Sequence, residues 1–173
     1  MVMNRIDIQY RGHRIIANDT GAMVYGHELK YKIDGTDKTA NLSKAKLFID
    51  SKYKQRQENR RAPNIGTIDD YCEAISGFPL AKHEITLLST HRNAPLRKMT
   101  ASELSACAGW QSVGSANVHY GKLGRRIAEH LNLEIIGNDD LAWTGALANY
   151  DQETRQWEMH EELALALDRL NII

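Results

Sequence analysis

Residues 115–131 constrain the fold of this chain more than any other segment, because they predict a long amphipathic helix. Plotted at about 100° per residue, five apolar positions fall within about 80° of one another. These positions are Ala116, Tyr120, Leu123, Ile127 and Leu131. A helix with one apolar stripe has to bury that stripe, so the segment predicts other elements packed around it.

The opposite face of this helix predicts a binding surface. It carries hydrogen-bond donors and cations, namely Ser115, His119, Lys122, Arg125 and Arg126. Such side chains can donate to phosphate oxygens or to the acceptor edge of guanine. The pattern also leaves open a second interpretation, in which the basic face of the helix is merely solvated.

Two glycines lie inside the same helix. Gly121 and Gly124 each cost about 1 kcal/mol relative to alanine in a helix interior. A close approach of another backbone would explain their presence, so we expect a further segment to cross the helix at these positions.

The residues before this helix complete a helix-turn-helix pattern. Thr100 and Glu103 have the spacing of a capping box, in which each side chain bonds the backbone amide of the other. They fix the start of a short helix, which Gly109 ends because glycine adopts the left-handed cap without steric cost. With an amphipathic helix at 80–90, the segment predicts a helix-turn-helix whose second helix enters the major groove of DNA.

The start of the chain predicts a small β-sheet. Residues 6–17 form one bent strand or a hairpin, interrupted at Gly12 as a turn or bulge would be. Residues 22–33 supply further strand material, and a third short strand follows around 36–40.

One helix is expected to pack across this sheet. Asn41 or Ser43 can cap it, and apolar residues at spacings of three and four carry it to about Tyr53. The stretch 54–66 then predicts a basic linker, since apolar residues almost vanish there. Its cations include Arg60 and Arg61, which could contact phosphates.

The end of the chain predicts a hairpin and a last helix. Residues 141–150 and 156–159 read as two strands in which Trp143 and Trp157 can pair, followed by a helix at 161–170. A hairpin after a recognition helix resembles the wing of a winged helix, although this one is acidic. The fold class is therefore α+β, with a sheet unit at 1–53, a linker at 54–66 and a helical domain at 67–173.

Although the net charge is zero, positive and negative residues are concentrated in different parts of the sequence. The balance is +6 over residues 1–62, −3 over 63–90, +4 over 91–130 and −7 over 131–173. Sign asymmetry of this kind bears on binding partners, because affinity for phosphate comes from clustered Lys and Arg.

No motif predicts catalysis, a metal or a cofactor. The seven histidines lack a spaced pair such as HExxH, and the chain has no phosphate-binding glycine loop or nucleophile elbow. Cys72 and Cys107 have no CxxC partner and fit as reduced core residues. With no apolar run long enough for a membrane span and no signal-peptide core, we expect a non-enzymatic cytoplasmic protein.

The helix-turn-helix segment also carries a resemblance. Its pattern rests on Thr100, Ala101, Glu103, Leu104, Ala116, Asn117, Tyr120, Gly121, Leu123 and Gly124. With these residues the region of about 69–173 resembles a helix-turn-helix-like accessory module found alone or fused to HNH-type restriction endonucleases in bacteria and phages. The resemblance implies DNA recognition or an interaction role. It does not imply nuclease activity, because no HNH-type His/Asn/His site follows.

Two functions follow as hypotheses. The first is a nucleic-acid-binding protein of phage or mobile-element type, whose ligand is double-stranded DNA held by the basic helix face and by Arg60 and Arg61. The second is an inhibitor of a bacterial defence system, of anti-CRISPR or anti-restriction type, in which an acidic C-terminal surface docks on a host nuclease complex.

Overall fold

The computed structural model describes residues 5–26 and 30–172. The chain divides into two compact units, Met1–Asn59 and Arg60–Ile173. The first is a four-stranded sheet with one helix, and the second is mainly helical with a small sheet, which confirms the α+β class.

The first unit begins with an antiparallel meander. Its strands are β1 (Ile6–Tyr10), β2 (His13–Asn18), β3 (Gly21–Tyr25) and β4 (Lys30–Asp34), hydrogen-bonded in that order. Residues 6–17 therefore form a hairpin, whose turn places Arg11 and Gly12 at positive φ. The strand material predicted at 22–33 contains most of β3 and most of β4.

Helix α1 (Lys38–Glu58) starts earlier and ends later than the sequence predicts. Asp37 caps it by accepting a hydrogen bond from the Ala40 amide, so the expected strand at 36–40 and the expected caps at Asn41 or Ser43 are wrong. Asn41 instead lies buried inside the helix, where its side-chain amide donates to the carbonyl oxygen of Asn18 at 2.8 Å.

The core of the first unit lies between α1 and one face of the sheet. Alternate strand residues such as Ile15, Ala17 and Val24 are buried against Ala45 and Ile49 of α1. Because side chains alternate along a strand, the residues between them point to the opposite face of the sheet.

The second unit contains six helices and three strands among the residues that the structure describes. The helices are α2 (Ile68–Gly77), α3 (Lys82–Asn93), α4 (Ala101–Cys107), α5 (Val113–Leu131), α6 (Asp140–Trp143) and α7 (Glu161–Arg169). The strands are β5 (Lys98–Thr100), β6 (Ala148–Asp151) and β7 (Gln156–Met159). They pair antiparallel in the order β5-β7-β6.

The elements from α3 to β7 place a hairpin after the α4–α5 helix pair. Helix α6 and a 3-10 turn lie between α5 and this hairpin, whose second strand, β7, also pairs with β5. The predicted hairpin is thus confirmed at 148–151 and 156–159. The rest of the prediction is wrong, because residues 140–146 form α6 and a 3-10 turn, and Trp143 lies outside the sheet.

One buried histidine joins three of these elements. The Nδ1 atom of His91 in α3 lies 2.7 Å from the Tyr120 hydroxyl of α5, and its Nε2 atom lies 2.9 Å from the carbonyl oxygen of Trp157 in β7. All three residues are almost completely buried. The long helix is therefore tied both to α3 and to the hairpin sheet.

The predicted linker at 54–66 does not exist as a separate segment. Helix α1 continues to Glu58, and the boundary between the units falls between Asn59 and Arg60. The residues that follow belong to the second unit, where Ile65 is part of the core. Among the described residues, no helix combines the length and hydrophobicity that a membrane span requires.

Candidate nucleic-acid interface

The turn between α4 and α5 sets where the long helix begins. Both halves of the predicted Thr100–Glu103 capping box are present, and Gly109 leaves the short helix at φ +75°, as predicted. The buried hydroxyl of Ser105 donates to the carbonyl oxygen of Ser112 at 3.0 Å and accepts from the Ala116 amide at 3.2 Å. These bonds attach the first turn of α5 to α4.

The glycines of α5 make the close backbone contact that the sequence predicts. A Cβ atom on Gly121 would overlap the carbonyl oxygen of Asp140, and one on Gly124 would overlap the carbonyl oxygen of Trp143. Helix α6 and the turn after it therefore cross α5 directly at these positions. With the apolar stripe buried on another side, α5 keeps one outward flank.

Two cations occupy that flank. Lys122 is exposed, and the Arg125 side chain is 59% exposed. The Arg125 Nε atom lies 2.8 Å from Glu129, one turn later, and its guanidinium lies 5.4 Å from the Trp143 ring centroid. An exposed pair of this kind is worth little in water, so a phosphate can compete for the guanidinium. Ser115 lies half-buried on the same flank.

Arg126 bonds other parts of the protein and is not available to a ligand. Its guanidinium bonds Glu84 of α3 at 2.7 Å and the carbonyl oxygen of Pro79 at 3.1 Å, and it lies 4.4 Å from the Phe78 ring centroid. The Glu84 side chain is only 8% exposed, so losing the pair would leave a carboxylate poorly solvated. We remove Arg126 from the predicted contact residues because these bonds hold α5 against α3.

His119 belongs to a cluster of three rings. Its ring stacks on Trp110 at 4.4 Å between centroids, and His83 of α3 approaches it edge-on at 4.8 Å. Burial lowers the pKa of His119, and the nearby His83 and Lys122 lower it further. The His119 ring, which lies beside the flank, is therefore neutral at pH 7. It can donate a hydrogen bond but does not act as a cation.

Arg60 and Arg61, predicted together as phosphate contacts, have different surroundings. The Arg60 side chain is 5% exposed, bonds the buried carboxylate of Asp70 at 2.9 Å and donates to the Leu131 carbonyl oxygen at the end of α5. It cannot reach a phosphate without breaking the core, so this assignment is corrected. Arg61 lies nearer the surface but pairs with Glu162 of α7 at 2.9 Å.

The hairpin keeps negative charge at Asp151, and two cations near it offset part of that charge. The Asp151 carboxylate accepts the backbone amides of Thr154 and Glu153, and these bonds lower its pKa. Glu158 lies 3.3 Å from Lys98 of β5. Arg155, which sequence reasoning overlooked, is exposed in the turn at φ +55°. Its only sequence signal was a single cation between two predicted strands.

Other acidic side chains of the C-terminal block also have partners. Glu162 pairs with Arg61, and Asp168 pairs with Arg92 of α3. Within the described residues no group of three or more His, Cys, Asp or Glu side chains could hold a metal ion.

Comparison with known proteins adds no assignment. No family model, curated protein or solved structure matches the chain. The resemblance to the accessory module of HNH-type endonucleases stays a prediction.

Proposed function

We propose that this protein binds double-stranded DNA without catalysing a reaction, through the outward flank of α5. The observation that carries the proposal is the position of Lys122 and Arg125. They lie exposed on the second helix of the α4–α5 helix pair, while its other sides are covered by the core and by α6. In helix-turn-helix proteins this helix is the one that enters the major groove.

The chemistry of the flank suits phosphate and base edges. Lys122 supplies a mobile point charge for phosphate, whereas the planar guanidinium of Arg125 can bond O6 and N7 of guanine together. The Ser115 hydroxyl and the neutral ring of His119 add uncharged donors beside them. Two cations on α5 allow about two phosphate contacts from this helix, so their share of the slope of log K against log salt is shallow, about −2.

Ion pairs at three carboxylates of the acidic C-terminal block weaken the case for inhibition by charge mimicry. Glu158, Glu162 and Asp168 each form an ion pair within the chain. A surface that imitates the phosphate backbone needs unneutralised carboxylates in a row. We therefore propose the first function alone.

The proposal is tested by measuring duplex binding as a function of salt. Fluorescence anisotropy with a mixed-sequence duplex, between 50 and 200 mM salt, gives the slope of log K against log salt. We expect the wild type to bind, and Lys122→Ala with Arg125→Ala to flatten that slope by about two, roughly one for each lost phosphate contact.

A matched control removes two cations elsewhere in the same unit. Arg92→Ala with Arg169→Ala breaks two pairs on the α7 side and leaves α5 unchanged. We expect it to retain the wild-type slope. Equal losses in both double variants, or no duplex binding by the wild type at 50 mM salt, would contradict the proposal.

A further inference from the structure

The face of the N-terminal sheet opposite α1 carries a continuous row of polar side chains. The strand register places Gln9 opposite Arg14, Arg14 opposite Tyr25, and Tyr25 opposite Lys30. All four belong to the alternation that points away from the Ile15 and Val24 core. Gln9, Arg14 and Lys30 are exposed, and so is Tyr25 at 36%.

A second row runs beside the first. Here the register aligns Asp7, Ile16, Met23 and Lys32 across the four strands. Ile16 and Met23 are only half-buried, because α1 packs on the other side of the sheet. In this row the residues of the two inner strands are apolar and those of the two edge strands are charged.

The charge on this face is positive. Within the two rows, Arg14, Lys30 and Lys32 outnumber the carboxylate Asp7, and among the described residues beside the rows are Arg5 and Asp34. Both carboxylates already have cationic partners on the same face. Asp7 bonds Arg14 at 2.9 and 2.6 Å, and Asp34 lies 2.7 Å from Lys32. The cations left over from these pairs favour an anionic partner for the face.

We propose that this face, defined by the two rows above, is a second DNA-contacting surface of the same chain. The two lysines of the edge strand β4 and the arginine of β2 bind phosphates. Gln9 and Tyr25 supply hydrogen bonds, and Ile16 and Met23 contact sugars or thymine methyl groups. Sheets are established readers of DNA grooves. The proposal rests on the proposed function for its ligand, but not on the same residues.

A second cationic surface on the chain adds phosphate contacts, and each such contact raises affinity for DNA. This would explain how a chain with zero net charge and two open cations on α5 could still hold DNA.

The test reverses charge on the sheet face of the full-length chain. Lys30→Glu with Lys32→Glu is compared with Lys44→Glu with Lys54→Glu, which makes the same charge change on the exposed side of α1. The match is close, since the side chains of Lys32 and Lys54 are 69% and 77% exposed. At 100 mM salt, we expect the sheet variant to lose about ten-fold or more in duplex affinity and the α1 variant to stay near wild type.

The outcomes separate this inference from the proposed function. If Lys122→Ala with Arg125→Ala binds like wild type while the sheet variant fails, the sheet contact stands and the α5 proposal does not. If the α5 variant fails while both charge reversals bind equally, the inference is overturned. It is also overturned if light scattering shows a wild-type dimer that only the sheet variant splits, because the face would then be a self-association surface.

Discussion

At the scale of single residues, His91 connects stability to pH. Its imidazole has no exposed surface and lies between the Tyr120 hydroxyl and the Trp157 carbonyl. Burial lowers the pKa of His91 to about 4, although the bond to the Trp157 carbonyl opposes that shift. In the folded protein His91 therefore stays neutral at a pH where the same residue in the unfolded chain, with a pKa near 6.5, is already protonated.

We expect this group to reduce the free energy of unfolding as pH falls. Its contribution is fully present above pH 6.5 and is lost progressively towards pH 4, because only the unfolded state binds the proton in that window. The loss amounts to about 3 kcal/mol. Urea unfolding at pH 7 and pH 4.5 measures it.

The control for this prediction is His91→Gln, which cannot titrate. Carboxylates such as Glu162, whose pKa the Arg61 hydrogen bond lowers, also lose stability in acid. The variant will be less stable at pH 7, but its pH dependence should be shallower than that of wild type. Parallel pH profiles for the two proteins would show that His91 is not responsible.

The neighbours Arg60 and Arg61 show what a local sequence can and cannot predict about a site. Both are cations in a polar stretch, so both were expected to face solvent. Arg60 is buried because Asp70 and the end of α5 are there to receive it, whereas Arg61 meets Glu162 of the last helix. Lys122 and Arg125 could be placed correctly because helical periodicity alone puts them opposite the apolar stripe.

At the scale of elements, the sequence predicts a helix correctly where the pattern that defines it spans only a few neighbouring residues. The capping box of α4, its terminal glycine and the stripe of α5 are all local, and all are present. Strand β5 spans only Lys98–Thr100, too short to show a period of two, and it exists because β7 pairs with it. The sequence predicts a strand where α6 lies, because Leu141, Ala142 and Trp143 also suit a sheet.

The glycines of α5 should reverse the usual effect of alanine in a helix. Alanine normally stabilises such positions by about 1 kcal/mol. At Gly121 the added methyl group would meet the Asp140 backbone, so we expect Gly121→Ala to destabilise the protein by about 1–3 kcal/mol through overpacking.

Gly114 provides the comparison in the same helix. It is exposed near the start of α5, and a Cβ there would come no closer than 3.6 Å to Ser112. Thermal unfolding should show a lower Tm for Gly121→Ala and an unchanged or higher Tm for Gly114→Ala. Two variants with the same Tm as wild type would mean that α6 does not press on α5.

At the scale of the whole molecule, the buried residues form two separate cores. Ile15 and Ile49 belong to one cluster, whereas Tyr120 and Trp157 belong to the other. The division into two units was predicted from composition, but its boundary was not. A polar helix such as the end of α1 has the composition of a linker, and only the structure shows where it stops.

Separate cores predict separate responses to core damage. All three tryptophans, Trp110, Trp143 and Trp157, lie in the second unit, so their fluorescence reports on that unit alone. Ile15→Ala should cost the first unit about 2–5 kcal/mol. We expect earlier proteolytic cleavage within residues 5–59, with the urea midpoint of tryptophan fluorescence unchanged.

The same experiment would reveal coupling between the two units. A drop in the fluorescence midpoint of Ile15→Ala, matching that of Leu123→Ala in the second core, would mean that the two units unfold as one cooperative body.

Contact at Gly121 and Gly124 prevents α5 from rolling about its own axis. Arg126 anchors another side of the helix to Glu84, so the same side chains always face outward. A new ligand preference therefore has to come from replacing those side chains, since the helix cannot be re-docked to present others. Randomising positions 115, 122 and 125 would vary recognition while leaving the supporting scaffold intact.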